Sequence, residues 1–149
     1  MKLDYAQALK RVDEARGAWI MYGQEPLLEQ NLLDAFRKTW HKQEIERQRY
    51  DISNTSDWKN VFNALNSLSL FSNQLAIEVH GQIKPDANGI KQLKSYIQHN
   101  EQNLLLVVMP KQDSSSLKSS FFQVIDANGV TVPLTANYPQ DRQRILKIE

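Results

Sequence analysis

Apolar residues are arranged in two ways along this chain, in short runs and at helical spacing, and each arrangement predicts one kind of element. Short apolar runs indicate strands, and the unbroken run "NLLLVVM" predicts a central strand that is covered on both faces. The run "VTVPL" is typical of an edge strand, because Pro133 cannot donate a hydrogen bond to a ladder. Five strands are predicted, over residues 18–23, 47–52, 74–79, 103–109 and 130–134.

Apolar residues at helical spacing fill the segments between the strands. The clearest stripe runs from Trp58 to Leu68, and either Thr55 or Ser56 is suited to cap its first turn. Other helices are predicted at the start of the chain as far as Gly17, from Pro26 onward, over 90–97, and from a cap within 114–116 to Asn128-Gly129.

A helix followed by alternating strands and helices predicts an α/β fold. We expect a doubly wound, mainly parallel five-stranded sheet with helices on both sides. The last residues, 137–149, contain Ile145, Leu146 and Ile148 at spacings that begin another helix. We therefore expect one domain over residues 1–136 and, from 137 onward, the start of a helix that leads into a second domain beyond this chain.

Composition narrows the classes of function. The 149 residues carry a formal net charge of +1, so no overall field attracts nucleic acid or an anionic membrane. Cysteine is absent, which excludes disulfides and thiolate metal sites. No apolar run approaches the length of a membrane span. These features favour a cytoplasmic globular protein without a membrane partner.

The residues of the loop after the first strand bear on whether this chain binds a nucleotide. A phosphate loop needs several glycines, a lysine for the phosphates and a hydroxyl for magnesium. The segment "YGQEPLLEQ" has one glycine and neither of the other two, and its Glu25 would repel phosphate. The central strand also ends in Met109-Pro110, where an ATPase would carry an acidic metal ligand. A P-loop-type nucleotide-binding enzyme stays open only as an alternative.

Other catalytic and cofactor sites are not indicated. The histidines at 41, 80 and 99 are far apart in sequence and are expected to be solvated or in loops. The serines at 114–116 lack a glycine elbow and are better explained as helix caps. We expect no catalytic residue, no cofactor and no metal in this chain.

A basic region over residues 37–49 leaves a third possibility. Five basic residues against two acidic ones give it a net charge of +3, beside Trp40 and Tyr50. A surface that follows phosphates usually needs more charge, so plain solvation is the favoured interpretation. A DNA-binding module that uses this region stays open. The five basic residues are Arg37, Lys38, Lys42, Arg47 and Arg49.

The segment "NALNSLSLFSNQ" places two large apolar residues, Leu70 and Phe71, beyond the end of the third helix stripe. One interpretation is that they fill the gap between helix and strand, because apolar residues beside a core usually join it. The other is that they insert into a partner's pocket. Patterning alone leaves both open.

Two segments carry a family resemblance: "DWKNVFNALNSLSLFSNQ" over 57–74 and "YGQEPLLEQNLLDAFR" over 22–37. With the strand "LLLVVMPK", they resemble the N-terminal domain of the δ subunit of bacterial DNA polymerase III, along essentially the whole chain. The resemblance implies an AAA+ ATPase-like module with a degenerate nucleotide site. It also implies a non-catalytic subunit within a DNA-directed DNA polymerase, which is a nucleotidyltransferase assembly.

The resemblance further implies a clamp-loader subunit that binds and opens the DNA sliding clamp through a hydrophobic turn. By position, Leu70 and Phe71 are the anchors, Ser69 is the spacer, and Leu68 stands where the family often has methionine. Asn66 stands where clamp-binding peptides often have glutamine. The implied partners are the β sliding clamp, the γ/τ and δ′ subunits, and primed DNA through the assembly. The isolated fragment is expected to be a monomer.

Overall fold

The computed structural model describes residues 1–67, 74–99 and 102–135, so the helix predicted at 137–149 lies outside it. Its five strands form one sheet in the order β2-β3-β4-β1-β5, and every pairing is parallel. The predicted doubly wound α/β sheet is therefore confirmed. The strands are β1 (Gly17–Gly23), β2 (Glu46–Ile52), β3 (Leu75–Gly81), β4 (Leu104–Met109) and β5 (Val130–Leu134).

Helices cover both faces of this sheet. One apolar core lies between the sheet and α1 and α2, and the other between the sheet and α3, α4 and α6. Within the described residues, none of these helices is both long and apolar enough to cross a membrane. The helices are α1 (Tyr5–Leu9), α2 (Pro26–Lys42), α3 (Asp57–Ser67), α4 (Ala87–His99), α5 (Ser114–Leu117) and α6 (Ser120–Asn128), with a 3-10 turn at Val12–Glu14.

Strand β4 is buried along its whole length, as its unbroken apolar run predicts. Leu105 and Val107 enter the core under α3, α4 and α6, whereas Leu106 and Val108 enter the core under α1 and α2. Such two-sided burial is the usual condition of a central parallel strand. The central strand therefore anchors the sheet, and the edge strand β2 can carry polar side chains.

The two edges of the sheet are protected in different ways. Strand β5 lies at one edge, as Pro133 predicts, and the first residues of the chain pair with it. The amide of Leu3 donates to the Thr131 carbonyl at 3.0 Å, and the Thr131 amide donates to the Met1 carbonyl at 2.9 Å. At the other edge, β2 carries mostly charged and polar side chains, which discourages pairing with another chain.

Two helix boundaries differ from the sequence prediction. The opening helix ends at Leu9, and Gly17 instead begins β1 with a φ of 79°. The helix predicted from a serine cap is two helices. The first, α5, is a single turn capped by Asp113, whose Oδ1 accepts from the Ser116 amide at 2.7 Å. The following helix, α6, begins only after Ser119.

Helix α3 follows the predicted stripe and is held mainly by Trp58, whose side chain is almost completely buried. The indole stacks on Phe62 with ring centroids 6.0 Å apart and meets the Phe121 ring edge-on at 5.6 Å. Its Nε1 donates to the Ile83 carbonyl at 2.9 Å. Ring packing and a satisfied N–H therefore fix the orientation of α3 on the sheet.

Replacing Trp58 with alanine should remove this anchor and leave a cavity under α3. We expect the free energy of unfolding to fall by about 3–5 kcal/mol, the usual range for a buried aromatic residue. Denaturant unfolding followed by circular dichroism measures the change. Lys59→Ala, on the exposed face of the same helix, should change it by less than about 0.5 kcal/mol. Similar losses in both variants would contradict this role for Trp58.

Candidate functional site

A cleft of about 260 Å³ lies at the carboxyl edge of the sheet, where β1, β4 and β5 end. In parallel α/β sheets this edge is the usual place for a ligand. The cleft is lined by the β1–α2 loop, by residues 111 and 112 after β4, and by the end of β5. A nucleotide bound here would need particular side chains in these segments.

The β1–α2 loop is too short to surround a triphosphate. Strand β1 ends at Gly23 and α2 begins at Pro26, so only two residues separate them, whereas the phosphate-loop motif has about four between its glycines alone. Gly23 has a strand-packing role: a Cβ there would lie 2.6 Å from the Leu134 carbonyl oxygen. Pro26 also removes one of the amide donors at the start of α2.

The charged groups of the cleft are few and of opposite sign. Lys111 is its basic side chain and Glu25 its acidic one. Burial, and after it the charge of Asp126, raises the pKa of the Tyr22 phenol, which is therefore neutral at pH 7. Within residues 1–67, 74–99 and 102–135, no three His, Asp or Glu side chains gather to hold a metal ion. The arrangement offers neither a phosphate cradle nor a magnesium site.

The residues predicted to bind the clamp, Leu68, Ser69, Leu70 and Phe71, lie outside the described residues. The structure does describe what flanks them. Helix α3 ends at Ser67, and β3 starts at Leu75, whose amide donates to Asn103 Oδ1 at 3.0 Å. The first residues of β3 belong to the amino edge of the parallel sheet. The chain therefore re-enters the fold at the edge opposite the cleft.

A buried ionic cluster centres on Glu78 of β3, whose side chain is fully buried. The Arg37 Nη2 atom from α2 lies 2.8 Å from Glu78 Oε2, and Arg37 Nε lies 3.2 Å from Oε1. Arg47 of β2 makes the second fork, at 3.1 and 3.3 Å. His80 Nε2 completes the cluster at 2.5 Å from Oε2. One carboxylate thus joins a helix to two strands.

Electrostatics keep this carboxylate ionised. Burial alone would raise the pKa of Glu78, but the hydrogen bonds from His80, Arg37 and Arg47 outweigh it and hold the pKa far below its usual range. In return, the hydrogen bond to Glu78 raises the pKa of Arg37. Forked hydrogen bonds between an arginine and a carboxylate are among the strong hydrogen bonds of proteins, because both groups are charged and two bonds form in parallel. The cluster orients α2 and the edge strand β2. Its carboxylate is already paired with side chains of this chain, so the cluster does not form a ligand site.

The cluster also changes the interpretation of the basic region over 37–49. Arg37 and Arg47 are paired with Glu78, and Arg49 Nη2 lies 3.1 Å from Asp51 Oδ1. Within the described residues, Lys38 and Lys42 remain as the two cations of the region without an ion pair. Most of its positive charge is therefore neutralised locally, which weakens the DNA-binding alternative.

The sequence did not lead us to predict that Glu78 contacts Arg37, Arg47 and His80. His80 was expected to be solvated or in a loop, but it lies in β3 with 20% of its side chain exposed, against Glu78. His41 and His99 are exposed, as expected. The available signal was an acidic residue inside the apolar run "QLAIEV", since a buried strand tolerates a carboxylate only if cations meet it.

Comparisons with known proteins identify the chain's relatives. The model of a family described as DNA polymerase III, delta subunit, matches residues 19–134. A search of curated protein sequences finds no match. Among solved structures, the clamp loader delta protein of Bacillus subtilis aligns with a TM-score of 0.61 and 14% identity. The alignment covers 87% of this chain and 42% of that one, so this chain spans less than half of its relative.

Two further structures share the fold at low identity. A chain of the HORMA:CdnC:Trip13 complex of Escherichia coli MS115-1 aligns with a TM-score of 0.56 and 11% identity, covering 90% of this chain and 50% of that one. A signal transduction ATPase with numerous domains from Pyrococcus horikoshii aligns with a TM-score of 0.54 and 12% identity. That alignment covers 96% of this chain and 24% of the other. These likenesses show a common architecture.

Magnesium–ATP provides a test of the cleft. The short loop, the single lysine and the nearby carboxylate should give no saturable binding of ATP in the presence of magnesium. Calorimetric titration up to about millimolar nucleotide, which corresponds to roughly 4 kcal/mol of affinity, measures it. Saturable binding that is lost in Lys111→Ala would instead favour a nucleotide-binding function.

Glu78→Gln should destabilise the fold because the amide leaves two arginines without their counter-charge. Since both guanidinium groups keep some contact with water, we expect a loss of about 1–3 kcal/mol in the free energy of unfolding, measured by urea denaturation. Asp51→Asn breaks an exposed pair in the same region and should cost less than about 1 kcal/mol. Equal costs would contradict the role of burial.

The same variant has a pH signature. The pKa of Glu78 is lower in the folded protein than the value of about 4.3 for an unfolded glutamate, so the carboxylate stabilises the fold fully above that value. This contribution is lost as the pH falls below about 4.3 towards the folded pKa. The stability difference between the wild type and Glu78→Gln should therefore shrink between about pH 5 and pH 3. A difference that stays constant over this range would contradict the ionised state of Glu78.

Proposed function

This chain belongs to the DNA polymerase III delta-subunit family, and we propose that it acts in a clamp loader, where it binds the sliding clamp and opens it during DNA replication. The observation that carries the proposal is the family match over residues 19–134. This match includes α3, β3 and the seven residues between them. The likeness of fold to a clamp loader delta protein supports the same assignment.

We propose that Leu68, Ser69, Leu70 and Phe71 make the contact with the clamp, with Leu70 and Phe71 as the anchors. Support comes from the stripe of α3, whose buried members already cover the sheet without them. Burying one leucine and one phenylalanine in a partner's pocket would contribute on the order of 3–6 kcal/mol before ordering costs. That is enough to anchor an interface. The buried stripe consists of Trp58, Val61, Phe62 and Leu65.

The elements on either side of this contact suit a force-bearing role. Helix α3 is fixed on the sheet by Trp58, and β3 lies between β2 and β4 in the sheet. Glu78 adds ionic ties from β3 to α2 and β2. A short peptide between such anchored elements would hold the clamp against a rigid body. Strain at the clamp's closed interface could then be used to open it.

In this mechanism the chain needs no covalent chemistry. A partner that binds the open clamp more tightly than the closed one shifts the population towards the open ring. The poor fit of the cleft to a nucleotide agrees with a role in which ATP acts on neighbouring subunits of an assembly that contains γ/τ and δ′. Primed DNA would be met through the assembly, in the cytoplasm, and the isolated chain would be monomeric.

Leu70→Ala combined with Phe71→Ala should abolish binding to a bacterial β sliding clamp. Losing about 3–6 kcal/mol weakens the complex by roughly 100-fold or more, which moves the chain out of the complex on a sizing column. The melting temperature should change little, because the fold keeps its α3 stripe.

Asn63→Ala, on the exposed face of α3, is the matched control and should leave clamp binding unchanged. A double variant that melts far below the wild type would place the pair in the core and contradict the proposal. Clamp binding that survives the double substitution would contradict it as well. Trp58→Ala serves as the reference for the loss of a core residue, and it should lower the melting temperature strongly.

A further inference from the structure

A second surface is an open groove of about 520 Å³ between α4 and α6. We call it the α4–α6 groove. Its floor is apolar, with Ile90 half-buried on α4 and Val124 nearly buried on α6. Ala127 is small and exposed, which leaves room above the floor. The groove is thus wide enough to take side chains from another molecule.

The charge along this groove has one sign. Lys91 and Lys94 line it from α4, three residues apart, and therefore on one side of the helix. Both are exposed, and neither makes an ion pair with any of the described residues. Because neither lysine is already paired, a partner's carboxylates can bind them without first breaking an ion pair.

The helices supply no counter-charge. The sequence of α4 contains no acidic residue, and that of α6 contains Asp126 alone. Asp126 does not line the groove, and its Oδ1 accepts a hydrogen bond from Thr131 Oγ1 at 2.8 Å. Asp86, just before α4, accepts from the Gly89 amide at 2.8 Å. Neither Asp86 nor Asp126 forms an ion pair with Lys91 or Lys94, so within the described parts of α4 and α6 no carboxylate neutralises these lysines.

From this combination we infer that the α4–α6 groove binds an acidic amphipathic helix of a partner protein. The partner's apolar ridge packs on Ile90 and Val124, and its glutamate or aspartate side chains reach Lys91 and Lys94. A helix laid into an apolar groove is a common way of recognising a peptide, and flanking charges set which helix is accepted. The inference does not depend on clamp binding.

A designed peptide of about 20 residues tests the inference, since a shorter one would not stay helical in water. It carries leucines along one face and glutamates on both flanks, and a matched peptide has lysine in place of every glutamate. Amide chemical shifts of the whole chain, recorded during titration, locate the contact. We expect saturable binding of the acidic peptide alone, with the largest shifts at Ile90, Lys91, Val124 and Ala127.

Three variants separate charge from shape. Lys91→Glu with Lys94→Glu should weaken binding by at least about tenfold, because two attractive pairs become repulsive. Lys38→Glu with Lys42→Glu removes the same charge from α2, on the other side of the sheet, and should leave the affinity unchanged. Ala127→Arg adds positive charge but fills the groove, and it should weaken binding too.

Several outcomes would overturn the inference. One is no binding of the acidic peptide up to about millimolar concentration, an affinity of roughly 4 kcal/mol. The others are equal binding of the lysine peptide, shifts confined to other surfaces, or equal losses in both lysine-pair variants. Melting temperatures recorded for each variant confirm that the groove is still folded in the comparison.

Discussion

The structure depends on covering both faces of a parallel sheet whose central strand is apolar throughout. Strand β4 offers no polar side chain to either face, so helices must cover it above and below. The apolar stripe of α2 covers one face, and the apolar stripes of α3, α4 and α6 cover the other. Each helix is then held in one rotation, which decides what its ends and outer faces can present to other molecules.

The two edges of the sheet consequently have different roles. At the carboxyl edge, the short β1–α2 loop and the close approach of Gly23 to β5 leave a cleft with little capacity for phosphate. At the amino edge, β3 begins at Leu75, shortly after the residues in the sequence that we propose to contact the clamp. Membership of the delta-subunit family fits this division, since the proposed function needs a firm hold on a partner and no reaction on this chain.

Sequence pattern was sufficient wherever burial is continuous or strictly periodic. Strand β4 was predicted from its unbroken apolar run, and α3 from a stripe whose described members, Trp58, Val61, Phe62 and Leu65, are all buried. The start of α5 was misplaced because Asp113, and not one of the serines after it, accepts from the free amide of the first turn. The choice between adjacent capping residues depends on backbone angles that the sequence does not display.

The Glu78 cluster was missed for a different reason. Its members come from α2, β2 and β3, which are separate in sequence. Their contact cannot be predicted without the register of β2 against β3. Even that register places Arg49 opposite Glu78, whereas Arg47 makes the hydrogen bonds. The residues proposed to bind the clamp are the opposite case: their sequence is distinctive, but their function depends on a molecule outside this chain.

Competition for the clamp by an isolated peptide tests the central claim most directly. The peptide spans residues 63–74, and fluorescence anisotropy follows a labelled whole chain bound to a bacterial β sliding clamp. The account predicts that excess peptide releases the chain, and that the same peptide with alanine at positions 70 and 71 does not. A complex that withstands excess peptide would show that this chain contacts the clamp elsewhere.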